Sequence, residues 1–155
     1  ALGVGLESVD EVMEFELVSW VAPRKIEDDL GSEFPEGVKL KNAETFDRKK
    51  RSFVDFVEYE ATGLESAEKS GDRVSQFFKE GEIWIERSSD KKTRRINIRP
   101  YTLAVEYEND RLLLRIQVTD RGTAKPEEVV RAIGLEITGD TRIRKTLTQL
   151  GIRGA

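Results

Sequence analysis

A chain of 155 residues with net charge −4, 37% hydrophobic and 36% charged, can bury one good core or two small ones, with much of its surface wet. It contains neither cysteine nor histidine, which excludes disulfides, thiolate nucleophiles, iron–sulfur ligation, ordinary zinc sites and imidazole acid–base chemistry. No apolar run approaches the ~20 residues of a membrane span and no signal-peptide pattern opens the chain, so the expected compartment is the cytoplasm, with no membrane partner.

The opening from Ala1 to Ser8 reads as a loop feeding a strand, in which Met13, Phe15 and Leu17 alternate with Glu14 and Glu16. Pro23 suits a first helical position, and Ile26, Leu30 and Phe34 recur every four residues until Pro35-Glu36-Gly37 stops the helix. Val38 and Leu40, alternating with Lys39 and Lys41, give the next strand, so residues 1–47 read as β-α-β. The basic run Arg48-Lys49-Lys50-Arg51 marks a connector. Phe53 to Ala61 is apolar on both alternations and suits a central strand covered on both sides. A helix over Ser66 to Lys79 follows, with Ala67, Ser70, Val74, Phe77 and Phe78 facing inward.

Ile83 and Ile85 flank Trp84, and Ile96 and Ile98 alternate with Arg95, Asn97 and Arg99; Ser88 to Lys92 joins these strands as a polar tip. Pro100 favours extended geometry in the residue before it, which places Arg99 at the end of its strand. Tyr101 to Glu108 and Leu112 to Val118 alternate about an Asn109-Asp110 turn. Asp120 to Ala124 is a loop. A helix from Pro126 to Ile133 carries Glu127 and Glu128 in its first turn and stops at Gly134. Arg142 to Thr146 opens a closing strand, anchored by Ile143 and Leu147.

The resulting class is α+β. Residues 53–150 follow the order of a ferredoxin-like split β-α-β sandwich with an inserted hairpin, and residues 1–47 form a partial second ferredoxin-like β-α-β half.

Positive charge is grouped although the net charge is negative. Arg94, Arg95 and Arg99 belong to one basic strand, and Arg142, Arg144 and Lys145 to another. A guanidinium at Arg99 could grip a phosphate or carboxylate bidentately. Arg142, Arg144 and Thr146 share one strand face, opposite Ile143, Lys145 and Leu147, as a ladder for a phosphodiester backbone. The expected RNA- or anion-binding set is therefore Arg94, Arg95, Arg99, Arg142, Arg144 and Lys145. Against it stand plainer readings: salt bridges for Arg99, solubility for the outer strand, a simple cap at Lys125, and core positions for Trp20, Trp84, Tyr101 and Tyr107. Glu58 with Glu60, and Glu106 with Glu108, look like solvated edges, so no catalytic residue, metal or cofactor is assigned.

Five pieces in order carry a family resemblance: Gly3 to Ser8, Phe34 to Val38, Asn97-Ile98-Arg99-Pro100, Lys125 to Val129, and Arg142 to Thr146. With them the chain resembles the C-terminal two-thirds of the radical-SAM-linked family, a bacterial domain of unknown function. That domain is fused to, or encoded beside, radical SAM proteins. The β-α segment that usually begins the family's pattern is absent here. The resemblance implies a radical SAM protein as partner. Lacking cysteine, this chain cannot hold the cluster itself and would act as an accessory domain. Family members also lie near genes for RNA processing and ribosomal proteins. The leading expectation is a non-catalytic domain that binds transfer or ribosomal RNA, or an RNA-associated partner. The alternatives are an RNA-processing or RNA-modifying enzyme on a tandem ferredoxin-like scaffold, and a protein–protein adaptor.

Overall fold

The computed structural model describes residues 6–46, 51–64, 70–89 and 92–153. They fall into two units, one of residues 1–12 with 53–151 and the other of 13–52 with 152–155.

The larger unit is α+β, built on one mixed sheet. Its strands are β1 (Glu7–Ser8), β2 (Arg51–Thr62), β5 (Thr102–Glu108), β6 (Arg111–Thr119), β7 (Gly122–Thr123) and β8 (Arg142–Arg153). Between β2 and β5 lie helix α2 (Ser70–Lys79) and the strands β3 (Trp84–Ser89) and β4 (Lys92–Asn97), which pair only with each other. Helix α3 (Pro126–Ala132) precedes β8. The sheet runs β1-β8-β2-β6-β5, with β7 added beside β6. β1 lies parallel to β8, while β6 is antiparallel to both β2 and β5.

Alternation explains how this sheet faces its core. Val57, Tyr59 and Ala61 stand opposite Ile116, Leu114 and Leu112, and that shared face meets Phe77 of α2 and Val129 and Val130 of α3. Leu112, Leu114 and Ile116 are all buried. The β5–β6 turn works because Asn109 and Asp110 take φ of 49° and 60°, the left-handed pair that a two-residue hairpin loop requires. Helix α3 begins at Pro126, where a missing N–H costs nothing, and Glu128 Oε2 accepts the Lys125 N–H at 2.8 Å.

Three expectations need correction here. The strand over Phe53 to Ala61 is central, but its two faces differ: Val57 and Ala61 are buried in the core, while the opposite face carries half-buried Glu58 and Glu60, bridged to Arg115 and Arg111 on β6. Arg99 does not end an extended strand. Ile98 is helical (φ −87°, ψ −15°), and Arg99–Tyr101 form a 3-10 turn with Pro100 inside it. Proline is tolerated there because the first helical turn has no use for its N–H. Asn97 Oδ1 accepts the Arg99 N–H, and Thr102 Oγ1 donates to the Ile98 carbonyl, which fixes the turn.

The third correction lies in the smaller unit. Helix α1 (Pro23–Gly31) starts at Pro23 as expected, but it ends before Phe34 and buries none of its residues. Neither Met13 to Leu17 nor Val38 to Lys41 forms a strand. Alternation alone does not make a strand; its backbone groups need a hydrogen-bonding neighbour. The parallel partner of β8 is Glu7–Ser8, upstream of the segment whose periodicity was suggestive. Ala67 and the start of the second expected helix, and the run Arg48 to Lys50, lie outside the described residues.

Candidate functional site

The six basic residues singled out from the sequence occupy three places in the larger unit. Arg94 and Arg95 lie on β4, where Arg94 faces Arg87 and Arg95 faces Glu86 across the pair with β3. Ile85 and Ile96, on the Arg87–Arg94 side, pack against the core. Trp84, Glu86 and Arg95 therefore look outward. Trp84 is 49% exposed, its Nε1 donates to Glu82 Oε2 at 3.0 Å, and the Arg95 guanidinium sits 5.5 Å from its ring centroid. The expectation that Trp84 is core fails at this position. Arg94 is exposed and makes no ion pair among the described residues.

The β3–β4 arm is anchored at its inner face. Arg87 Nε donates to Glu128 Oε1 at 2.7 Å, and its Nη2 donates to Glu128 Oε2 at 2.6 Å and to the Thr123 carbonyl at 2.8 Å. Both charged side chains are largely buried, and the Glu128 carboxylate raises the Arg87 pKa further.

Arg99 is turned inward. Its guanidinium lies 4.5 Å from the Phe78 ring centroid and 5.9 Å from that of Phe77, its Nη1 donates to the Thr102 carbonyl at 3.2 Å, and its Nε is buried without a hydrogen-bond acceptor among the described residues. This arginine ties the 3-10 turn to α2 through cation–π contact.

Arg142 and Arg144 are exposed on the open face of β8, and both bind the same carboxylate. Arg142 Nη1 donates to Glu7 Oε1 at 3.2 Å, while Arg144 Nε and Nη2 donate to Glu7 Oε2 at 3.1 and 3.0 Å. The Arg144 hydrogen bonds, with the charges of both arginines, hold the Glu7 pKa below the ordinary carboxylate range. Two cations sharing one anion leave a single net positive charge. Lys145 points the other way, is 7% exposed, and pairs with Glu11.

The structure thus brings Arg142 and Arg144 together, sets Arg94 and Arg95 on a separate arm, and commits Arg99 and Lys145 to internal contacts. Sequence reasoning missed Glu7, Glu11 and Arg87, since nothing local marks a charged side chain whose partner lies 41 residues away, as for Arg87, or 135, as for Glu7 with Arg142. Among the described residues no three acidic side chains gather closely enough to hold a metal ion, and no helix is long and apolar enough to cross a membrane.

Residues 1–128 match a family described as "Uncharacterized protein conserved in bacteria (DUF2344)". No curated protein and no solved structure matches the chain. The match covers the motif pieces from Gly3 to Glu128, and Arg142 to Thr146 lies outside it.

Proposed function

Since the chain belongs to this uncharacterized bacterial family, we propose that it is a non-catalytic accessory domain that binds RNA through the β3–β4 arm, in the service of a radical SAM protein. The observation that carries the RNA reading is Arg95 laid over the exposed ring of Trp84, with Arg94 exposed on the other face of the same arm. An indole at the surface offers a face on which an unstacked base can lie, and the neighbouring guanidinium meets an adjacent phosphate. Arg142 and Arg144 are secondary in this scheme, because Glu7 already neutralises half their charge. Arg99 and Lys145 serve the fold.

The arrangement of residues 53–150 supports a ferredoxin-like reading. The path β8-β2-β6-β5, with α2 after β2 and α3 after β6, is the order of a split β-α-β sandwich, into which the arm is an insertion. The radical SAM partner rests on the ordered motif resemblance; these 155 residues hold no cysteine and so offer no thiolate to the cluster. A cytoplasmic location belongs to the same proposal, since transfer and ribosomal RNA are met there.

Fluorescence anisotropy of labelled transfer RNA and single-stranded ribosomal RNA fragments, at several salt concentrations, tests this reading. Trp84→Ala is expected to weaken binding about tenfold, the loss of one base–aromatic stack. Arg94→Gln with Arg95→Gln is expected to flatten the salt slope by roughly 0.7 for each lost phosphate contact. Arg142→Gln with Arg144→Gln should change little. Equal affinity for the wild type and the arm variants, or no binding at micromolar protein, defeats the proposal.

A further inference from the structure

On the outward face of the β3–β4 arm one charged side chain has no partner. Glu86 stands two residues after Trp84 on β3, directly opposite Arg95 of β4. Two residues along a strand span about 7 Å and share one face, so the Glu86 side chain rises beside the indole. An acidic and a basic residue set opposite each other across a strand pair ordinarily attract. Here they form no ion pair. The Arg95 guanidinium lies over the Trp84 ring instead, 5.5 Å from its centroid. Glu86 is exposed, with no hydrogen bond or ion pair among the described residues.

The neighbouring polar groups are engaged. The Trp84 Nε1–H donates to Glu82 Oε2 at 3.0 Å, which fixes the orientation of the ring. Asn97, opposite Trp84, accepts the Ile83 and Arg99 N–H groups on its Oδ1 at 2.9 and 3.2 Å. Ser88 and Thr93, the next pair along this face, hydrogen-bond each other at 3.1 Å. That leaves the Glu86 carboxylate open beside any base that rests on the indole.

A carboxylate has two acceptor oxygens and no donor. The Watson–Crick edge of guanine offers it two adjacent donors, N1–H and the N2 amino group, which is the bidentate match a guanidinium makes to the same group. Every other base sets an acceptor beside its donor. Adenine has N1 next to its N6 amino group, cytosine has N3 next to its N4 amino group, and uracil has a carbonyl on each side of N3–H. One carboxylate oxygen would then face a lone pair, and such a repulsive contact discriminates as strongly as an attractive one. Bases in single-stranded RNA expose this edge for reading.

Resting on the RNA reading above, we propose that the arm selects guanine in single-stranded RNA. The base takes the place of Arg95 on the Trp84 ring, Glu86 accepts from N1–H and the N2 amino group, and Arg95 turns to the adjacent phosphate. Glu86 is then the residue that determines base preference, while Trp84 and Arg95 supply affinity for any sequence.

Short oligouridylates carrying one central guanosine, inosine, adenosine, cytidine or uridine, titrated into the full chain by fluorescence anisotropy at one salt concentration, test this. The guanosine oligomer is expected to bind about tenfold more tightly than the adenosine, cytidine and uridine ones, the low end for a bidentate contact because this one faces solvent. Inosine keeps N1–H and lacks the amino group, so it should fall between. Glu86→Gln turns one acceptor into a donor on an exposed side chain. It should erase the guanosine preference and leave the uridine oligomer bound at least as tightly, since a negative charge has gone. The inference is overturned if all the oligomers bind the wild type equally, if inosine matches guanosine, or if the preference survives Glu86→Gln. Should Trp84→Ala still weaken every oligomer in those cases, RNA binding by the arm stands without the base choice. If no oligomer binds at micromolar protein, both fall together.

Discussion

Replacing Arg87 by methionine removes the clamp between the β3–β4 arm and the start of α3 while keeping most of the apolar stem. Three hydrogen bonds vanish, two to Glu128 and one to the Thr123 carbonyl. Breaking a fully buried ion pair by deleting one partner costs about 3–5 kcal/mol, chiefly because the other charge stays behind unpaired. Here the side chains keep 17% and 12% of their exposure, and Glu128 retains the Lys125 N–H. That residual solvation and the surviving cap reduce the expected loss to about 2–3 kcal/mol. For a chain of this size the melting temperature should fall by about 6–9 °C. Urea unfolding followed by far-UV circular dichroism measures the global loss. Fluorescence, dominated in its change by Trp84 on β3, should move at lower urea if the arm detaches first. A double-mutant cycle with Glu128→Gln isolates the pair, and a coupling of about 2 kcal/mol is expected. A loss below about 0.5 kcal/mol for Arg87→Met, or single changes that simply add, would refute the claim that this pair holds the arm.

Three further outcomes follow from the geometry. Leu114→Ala empties a fully buried site on the central β6 strand and should cost about 3 kcal/mol in urea unfolding, within the usual range for such truncations. Gly63→Ala should cost at least about 2 kcal/mol, because Gly63 sits at φ +66° and an added Cβ would run into the Asp140 carbonyl oxygen. Glu7, with its folded pKa depressed mainly by the Arg144 hydrogen bonds, contributes to the β1–β8 pairing above the ordinary carboxylate range and loses that contribution as pH falls through its lowered value. A carboxyl-carbon NMR titration should show its midpoint below that of an unpaired glutamate, and Arg144→Gln should move the midpoint up.

Elements built from neighbouring residues were legible. Alternation over Leu112 to Val118, the Asn109-Asp110 turn and the Pro126 helix start all appear where the sequence puts them, because each depends on a few consecutive residues and their own backbone. The antiparallel pairing of β3 with β4 was legible for the same reason. The segments 13–17 and 38–41 show the limit of this logic. Their period is that of a strand, but in the described structure they have no neighbouring strand to pair with. The candidate site was legible only in part. The exposed face of β8 was correctly separated from the Lys145 face by parity, yet Glu7 lies 135 and 137 residues from the arginines it binds. No local pattern announces such a partner.

By itself, then, the order of residues determined the Asn109-Asp110 turn, the start of helices at Pro23 and Pro126, and which side chains of β6 and β8 share a face. Those choices are made by steric and hydrogen-bonding preferences that act within a few positions of the chain. Only the tertiary structure decided what each charge is worth. An arginine meets a phosphate or is cancelled according to which carboxylate lies within a few ångströms, and that is set by strand order. Placing β1 beside β8 spends Glu7 on Arg142 and Arg144, and folding the 3-10 turn onto α2 lays Arg99 on Phe78. Setting β3 and β4 apart from the main sheet leaves Trp84 and Arg95 facing outward.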